Sequence, residues 1–513
     1  MFVREKKNKS GSVSVQIIDK TNGYRVLKTV GSAIDPDEIK QFVLTARRLI
    51  NHPYSDQLRM FSVTSSGDLA IENFLAHLAN AQIRTLGPEL IFGALFDRIG
   101  FGAVESELFR HMTVARLAYP TSKLKTADYL YRYRGIKVGV DTLYRFLDKL
   151  GGKYRNLVED IAYQYTKNRL KTISMVFYDM TTLYFEAEDE DDLRKIGFNK
   201  DGKFQQPQIM LGLLVGEQGL PIGYRVFPGN TFEGHTLLPV LAEIRQKYGV
   251  EKPIVIADAA LLSEKNLKKL SQQQYKFIIG GRIKNETKNI KQRILKRAEG
   301  IKDGHGFSIK KADGTRLIVT YSDKRAGKDA HNRRRGLNKL KVRVKSGRLT
   351  KASINNRGYN RFLTLKGNIK KIKIAIDENR VKADEQWDGL KGYATNTKLS
   401  PKAITRNYRH LWQIEKAFRI SKTDLRVRPI FHRLKDRIEA HICIAFVAYT
   451  IYKELERLLD KHRIGFSPKR AAELTHNMYQ LEYILPDAGI GKTTLLKMDG
   501  EQKKLYEVIH NRR

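Results

Sequence analysis

Disulfide bonds and membrane spans are both beyond what this 513-residue sequence can form. Its only cysteine, Cys443, has no partner within the chain, which fits a reducing cytoplasm. The longest apolar run, residues 440–449, contains this cysteine and is too short to cross a bilayer. We therefore predict no membrane partner and a buried, packing role for the thiol. The first ten residues are basic but precede no apolar segment, so they do not resemble a signal peptide.

Acidic residues are scarce relative to basic ones. The sequence has 55 Asp and Glu against 95 Lys and Arg, a formal net charge of +40 and a pI near 10.0. A polyanion is the expected partner, because cations that neutralise phosphates release counterions. A hydrophobic content of 41% argues against a ribosomal or histone-like protein. More than half of the excess charge lies in residues 282–373, which hold 29 Lys and Arg against 6 Asp and Glu.

The periodicity of apolar residues changes twice along the chain. Alternation on both sides of Asn22-Gly23 predicts a β-hairpin. Helical periodicity follows to about residue 170, with a loop predicted at Gly151-Gly152. Residues 136–150 are a helix-turn-helix candidate, although an ordinary amphipathic helix explains them more simply. From residue 171 the pattern is three strands, a helix, a strand, a helix and a strand, which predicts an α/β fold.

Two aspartates stand in apolar runs that read as strands. Asp179 lies inside Ser174–Glu186, a segment rich in β-branched and aromatic residues, where an acid needs a partner. Asp258 ends the run Pro253–Asp258, and a helical stretch follows. The carboxyl ends of strands are where open α/β sheets bind ligands. Taken singly, either acid could instead belong to a structural ion pair.

A third acid, Glu415, lies in a predicted helix that begins at Ser400-Pro401, an N-cap and first-turn signature. Helical spacing places Leu411, Phe418 and Arg419 on the face of Glu415, with Tyr408 and Lys422 two turns away. Trp412 is predicted to be a core aromatic beside Leu411.

The three carboxylates together fit a two-metal phosphoryl-transfer site. Mg²⁺ prefers oxygen ligands and keeps several waters, so two or three carboxylates and a substrate phosphate suffice to hold it. Two such ions activate the attacking oxygen and stabilise the leaving one. We expect two Mg²⁺ ions at Asp179, Asp258 and Glu415, with Mn²⁺ as a substitute.

These segments resemble the DDE transposases of bacterial insertion sequences. The resemblance rests on the strand with Tyr178–Thr182, the strand end Ile256–Asp258 and the helix Tyr408–Lys422, and it spans about residues 170–455. The helix is similar to the Tyr-Arg-Glu-Lys signature, Y-x2-R-x3-E-x6-K, except that Leu411 occupies the arginine position. The resemblance implies a ribonuclease-H-like fold, divalent-metal catalysis, and DNA cleavage with strand transfer.

The resemblance also implies roles for neighbouring residues and partners. Asp179 would share one metal with Asp258 and the other with Glu415, with support for Asp179 from Thr181 and Thr182. Phosphate or DNA contacts are expected from residues of the signature helix, namely Tyr408, Arg409, Arg419 and Lys422. The implied partners are double-stranded DNA, as terminal inverted repeats and target, and a second copy of the chain in a homodimer. We expect a bacterial cytoplasmic, nucleoid-associated protein.

The gap between Asp258 and Glu415 is long enough to hold an inserted subdomain. The fold class predicted is α/β, with a ribonuclease-H-like mixed-sheet catalytic core interrupted by a β-rich basic insertion. The predicted domains are 1–35, an N-terminal β-hairpin; 36–170, a helical, DNA-binding region; 171–283, the first part of the core; 284–395, the insertion; 396–460, the second part with the catalytic helix; and 461–513, a C-terminal helical region.

Two rival functions remain open from the sequence. One is a ribonuclease-H-like nuclease that hydrolyses DNA without strand transfer. The other is a catalytically inactive DNA-binding derivative of a transposase, which the departure at Leu411 favours and the complete set of carboxylates opposes.

Overall fold

The computed structural model describes residues 1–21, 23–51, 66–199, 202–249, 252–258, 264–347, 349–366, 373–485 and 489–510. Two compact units are distinguished, one of residues 1–82 with 483–492 and one of residues 83–482 with 493–513. Asn22 of the predicted turn, residues 259–263 after Asp258 and Lys371 lie outside the described residues. The domain boundaries given above stay predictions.

The first unit contains an antiparallel sheet and two helices. Its elements are β1 (Phe2–Lys7), β2 (Val13–Asp19), β3 (Arg25–Ala33), α1 (Pro36–Asn51) and α2 (Ser66–Ala76). The predicted hairpin is present as β2 and β3, but β1 adds a third strand on the other side of β2. The apolar face of α1 covers this sheet around Val15 and Ile17.

A helical region precedes the large sheet in the second unit. Its elements are β4 (Ile83–Thr85), α3 (Ala94–Ile99), α4 (Glu107–Ala118), α5 (Lys123–Arg134), α6 (Val140–Lys149) and α7 (Arg155–Leu170). The loop predicted at Gly151-Gly152 is wrong, because a π-helical turn over Leu150–Tyr154 joins α6 to α7. A Cβ atom at Gly151 would come within 2.3 Å of the Asp436 carbonyl oxygen, so glycine here permits a close approach rather than a loop.

The centre of the second unit is a mixed sheet. Its first seven elements are β5 (Met175–Tyr184), β6 (Gln208–Val215), β7 (Pro221–Pro228), α8 (Leu237–Tyr248), β8 (Ile254–Ala257), α9 (Glu264–Gln272) and β9 (Lys276–Gly281). The strand order is β7-β6-β5-β8-β9, with β5, β6 and β7 antiparallel and β5, β8 and β9 parallel. This is the strand order of a ribonuclease-H-like core, so the predicted fold class is confirmed.

The basic segment between the two parts of the core adds to the same sheet. Its elements are α10 (Lys288–Ala298), β10 (Gly306–Lys310), β11 (Arg316–Tyr321), α11 (Asp323–Lys345), β12 (Leu363–Lys366), β13 (Lys373–Ile376), α12 (Glu378–Glu385) and β14 (Leu390–Thr395). Strand β14 pairs with β9, and β11 and β10 follow it, which gives an eight-stranded sheet. Strands β12 and β13 form a separate pair under α11 and α12.

Helices complete the second unit. The remaining elements are α13 (Pro401–Arg409), α14 (Trp412–Arg419), α15 (Lys435–Lys461), α16 (Pro468–Thr475), β15 (Tyr479–Ile484), β16 (Gly491–Leu495) and α17 (Gly500–His510). Helix α15 is buried over most of its length and contains the fully buried Cys443, as predicted; burial raises the pKa of this thiol to about 12. In the part of the chain that is described, no helix combines the length and apolarity needed to cross a bilayer.

Candidate active site

The two aspartates are neighbours because of the strand register. Strands β5 and β8 are parallel, and the last residue pair of their register joins Tyr178 to Ala257. Asp179 and Asp258 are the next residue on each strand, so they lie side by side at one edge of the pairing. Within β5, an Asp179 carboxylate oxygen accepts a hydrogen bond from the backbone N–H of Met180 at 2.8 Å.

Both aspartates also point to the same face of the sheet. Side chains alternate along a strand, and Tyr178 and Ala257 pack into the core cluster on the α8 side. Phe177 and Ile256, the residues before them, pack into the cluster on the other side, which contains Ile414 of α14. Asp179 and Asp258 follow by alternation on that second face, the face that α14 covers.

The predicted single helix around Glu415 is divided. Helices α13 and α14 are separated at His410 and Leu411, where backbone N–H groups bond to carbonyls three residues earlier instead of four. Leu411 and Phe418 are buried on either side of the exposed Glu415. The tightened turn therefore anchors α14 by its apolar residues and leaves the carboxylate of Glu415 facing solvent.

A cleft of about 1090 Å³ gathers the three acids. Asp179, Asp258 and Glu415 all line it. The other wall comes from β9, β14 and the basic segment, and its charged residues are Arg282, Lys284, Arg325, Asp329, Arg333, Arg361, Asp384, Asp388 and Lys391. The cleft is thus lined by Asp179, Asp258 and Glu415 on one side and by both positive and negative side chains on the other.

Tyr408 lines the cleft, and the nearby acids raise the pKa of its hydroxyl. Burial is the main cause that raises the pKa of this hydroxyl, and the charge of Asp258 acts next in the same direction. Glu415 and Asp179 make smaller contributions of the same sign. All three carboxylates therefore act on one hydroxyl, which stays protonated.

Lys391 is a cleft residue that the sequence reasoning missed. Its ammonium lies 4.7 Å from the ring centroid of Tyr408 and 5.4 Å from that of Tyr393. Burial lowers the pKa of Lys391 and Arg325 acts in the same sense, whereas Asp258 and Glu415 act to raise it. The segment 390–395 was not recognised as a strand; its alternation Leu-Lys-Gly-Tyr-Ala-Thr was the available signal.

The other predicted site residues divide between inside and outside the cleft. Arg409 lines the cleft with Tyr408, whereas Arg419 and Lys422 are not among its described lining residues. Thr181 shares the face of Asp179 by alternation, while Thr182 lies on the opposite face. The Thr182 hydroxyl is buried and has no hydrogen-bond partner among the described residues.

Trp412 corrects an expectation. It was predicted to be a core aromatic, but it is 48% exposed and lines the cleft beside Glu415. The ammonium of Lys416, one turn later, lies 5.3 Å from the indole centroid. The tightened turn at His410 and Leu411 explains the error, because it rotates Trp412 away from the face that a continuous helix would bury.

The donor set fits a hard divalent cation. Its three members are carboxylates that line one cleft, and oxygen ligands of this kind suit Mg²⁺. Among the described residues, no three His, Cys, Asp or Glu side chains are close enough together to hold one ion.

Comparisons with known proteins identify the family of the chain. A family model described as "Transposase DDE domain" matches residues 171–451, more than half of the chain. A cryo-EM structure of piggyBac transposase in a synaptic complex with hairpin DNA aligns with 80% of this chain and 78% of that chain, at 9% identity and a TM-score of 0.40. Mos1 transposase, in a paired-end complex with the left transposon end, aligns with 46% of this chain and 66% of that chain, at 13% identity and a TM-score of 0.16. No curated protein matches the sequence. By the match over residues 171–451, this chain belongs to the family of proteins with a transposase DDE domain.

Proposed function

We propose that this DNA transposase serves a bacterial insertion sequence of the Tyr-Arg-Glu-Lys signature group, cleaving the ends of its element and joining the 3′-hydroxyl ends to target DNA. The observation that carries the proposal is the meeting of Asp179, Asp258 and Glu415 in one cleft. Two of these acids are fixed by adjacent strands and the third by a helix packed on the same face. Acids on three separate elements therefore line one cleft.

The three carboxylates are the proposed ligands of two divalent ions. Asp179 and Asp258 would hold one ion, and Asp179 and Glu415 the other, with Mg²⁺ favoured by the oxygen donors and Mn²⁺ as a substitute. Bound there, the ions would lower the pKa of an attacking water and neutralise charge on the departing oxygen. Because β5 and β8 fix two of the ligands, little reorganisation of the protein would be needed.

The remaining cleft residues would hold the DNA strand. Arg409 and Lys391 are cations that line the cleft with Tyr408, and each could neutralise a phosphate oxygen. Tyr408, kept protonated by its surroundings, would donate a hydrogen bond to the same phosphate. Thr181, two residues after Asp179 in β5, would support it. Arg419 and Lys422, outside the described lining, would contact DNA further from the cut bond.

The basic wall would bind the end of the element. Arg325, Arg361 and Lys284 belong to the segment that carries more than half of the excess positive charge. Such cations provide sequence-independent affinity for phosphates. Synapsis of two ends would bring two copies of the chain together on double-stranded DNA, which is the reason to propose a homodimer.

The test uses a supercoiled plasmid that carries the inverted repeats found beside the coding region, with Mg²⁺ in the buffer. The full-length protein should give cleaved ends and joined products. Nicks without joining would favour the hydrolytic nuclease, and bound but uncut DNA would favour the inactive derivative.

Charge removal then tests the three acids. Asp179→Asn and Asp258→Asn should each lower end cleavage by roughly 10³-fold, since a lost metal ligand removes several kcal/mol of transition-state stabilisation. DNA binding in a gel-shift assay should change little. Asp37→Asn is the matched control, because this side chain of α1 is 85% exposed. Full cleavage by either site variant would refute the metal assignment.

A further inference from the structure

A second cavity, of about 220 Å³, lies in the helical region. It is bounded by the end of α4, the start of α5, the segment before α15 and α15 itself; its residues include Arg116, Lys123, Tyr144, Arg428, His432 and His441. None of its described lining residues also lines the cleft.

Two cations in this cavity are buried without a carboxylate partner. Arg116 is 6% exposed and Lys123 is 5% exposed. Within the described part of the chain, Arg116 donates two long hydrogen bonds, to the carbonyl oxygens of Leu425 at 3.4 Å and Arg426 at 3.5 Å. No described carboxylate forms an ion pair with Arg116 or Lys123, and the charge of Arg116 itself acts on Lys123. Burial of a charge is costly unless a partner compensates it, so an opposite charge is missing here.

Two neutral histidines line the same cavity. The imidazole of His441 bonds through Nε2 to the carbonyl oxygen of Val427 at 2.9 Å, so Nε2 is the donor. Its Nδ1 is buried and has no partner among the described residues. Burial is the main cause that lowers the pKa of His432, to about 3, and Lys123 and Arg116 act in the same direction.

The nearest negative charge is already engaged. Asp148 acts on His432, but both of its carboxylate oxygens accept hydrogen bonds from Arg437, at 2.7 and 2.9 Å. Helix α5, which is twelve residues long, also begins at the cavity with Ser122 as its N-cap. The positive end of its dipole adds to the field of Arg116 and Lys123.

We infer that this cavity, hereafter the oxyanion pocket, binds a phosphate-type oxyanion. Arg116 offers a planar fork of donors and Lys123 a point charge, a combination suited to a tetrahedral group with several oxygens. The volume is several times that of one water molecule, enough for a phosphate and part of its hydration shell. The phosphate could be a free ion or a backbone phosphate of bound DNA. The pocket does not depend on the activity proposed for the cleft.

The experiment uses the full-length protein and inorganic phosphate, compared with chloride at equal ionic strength. Thermal unfolding should shift upwards by about 2–4 °C in saturating phosphate for the wild-type protein. Lys123→Met removes the charge but keeps an unbranched apolar chain. This variant should unfold at a higher temperature than the wild type in chloride and should not respond to phosphate. Lys125→Met, on an exposed position of the same helix, should respond as the wild type does.

Duplex DNA separates the two sources of phosphate. If a DNA phosphate occupies the pocket, Lys123→Met should reduce the slope of log affinity against log salt by about one. An unchanged slope together with a lost phosphate response identifies the free ion. If Lys123→Met does not fold, calorimetric titration of the wild type with phosphate tests whether phosphate binds. One saturable site is expected. The inference would be overturned if Lys123→Met and the wild type responded equally to phosphate and had the same slope of log affinity against log salt. It would also be overturned if the titration of the wild type with phosphate showed no binding.

Discussion

The cleft and the oxyanion pocket treat buried positive charge in opposite ways. In the cleft, Arg333 is 8% exposed and donates two hydrogen bonds to the carboxylate of Asp388, at 2.6 and 2.7 Å. In the oxyanion pocket, Lys123 is as deeply buried but has no carboxylate partner among the described residues. The difference teaches that burial alone does not define a functional cation. A cation whose counter-charge is supplied by the chain stabilises the fold, whereas one without it points to a ligand.

The largest expected effect is on the free energy of unfolding. Removing a buried cation should lower it in the cleft and raise it in the oxyanion pocket. Arg333→Met should lower the free energy of unfolding by about 3 kcal/mol, because it leaves the partly buried Asp388, whose side chain is 17% exposed, without its guanidinium partner. Lys123→Met should raise it by about 1 kcal/mol in phosphate-free buffer, because it removes an uncompensated charge. Urea unfolding measures both, with Arg334→Met, exposed on the same helix as Arg333, as control. If the two variants changed stability in the same direction, the contrast would fail.

The next prediction sharpens the contrast between two lysines. The charges of Arg325, Asp258, Glu415 and Arg409 act on Lys391, whereas only that of Arg116 is found to act on Lys123 among the described residues. Lys391→Met should slow end cleavage by roughly 10²-fold, because it removes a positive charge where a phosphate would develop negative charge. Single-turnover cleavage at saturating DNA measures this step apart from binding. The control is Lys398→Met, at an exposed position shortly after β14. A cleavage rate for Lys391→Met within about threefold of the wild-type rate would exclude a role for Lys391 in the reaction.

The third prediction uses pH to probe the oxyanion pocket. The pKa of His432 is about 3 in the fold, where burial, Lys123, Arg116 and Arg437 lower it and Asp148 acts against them. It is about 6.5 in an unfolded chain. Between these values the unfolded state binds the extra proton, so stability falls as pH falls below about 6.5, by about 1.4 kcal/mol per pH unit from this residue.

The measurement is urea unfolding at about pH 5 and about pH 6 for the wild type and His432→Gln. His432→Gln should lose the part of the change of stability with pH that His432 contributes. The control His462→Gln, at an exposed position, should keep it. Phosphate in the pocket should flatten the slope of the wild type, since a bound anion favours the protonated imidazole. If stability changed equally with pH in His432→Gln and the wild type, the lowered pKa of His432 would be contradicted.

The smallest effect concerns the rim of the cleft. Trp412→Ala should change the free energy of unfolding by less than about 1 kcal/mol, because the side chain is half-exposed. Phe418→Ala, in the same helix but buried, should cost about 3–5 kcal/mol. Urea unfolding of the two variants compares them directly. A cost for Trp412→Ala as large as that for Phe418→Ala would restore the core position predicted from sequence.

Strand periodicity predicted much of the core, and the family resemblance supplied its expected architecture. The apolar runs around Asp179 and before Asp258 became β5 and β8, and the buried Cys443 was anticipated from its apolar neighbours. Strand β14 was missed because a lysine and a glycine interrupt its short run. Its pairing with β9 depends on residues more than a hundred positions apart, which local patterns do not encode.

The sequence by itself determined where the positive charge is concentrated, that Asp179 lies within a strand and Asp258 at the end of one, and that a helix carries Glu415. Only the tertiary structure decided which side chains share a cavity. The parallel register of β5 and β8 places Asp179 beside Asp258, and the tightened turn at Leu411 exposes Trp412 and Glu415 together. Arg116 and Lys123 are ordinary basic residues in the sequence, and only folding removes them from water with no carboxylate partner among the described residues. The reason is physical: propensity and periodicity act between neighbours in the chain, whereas burial and charge compensation depend on which distant segments come into contact.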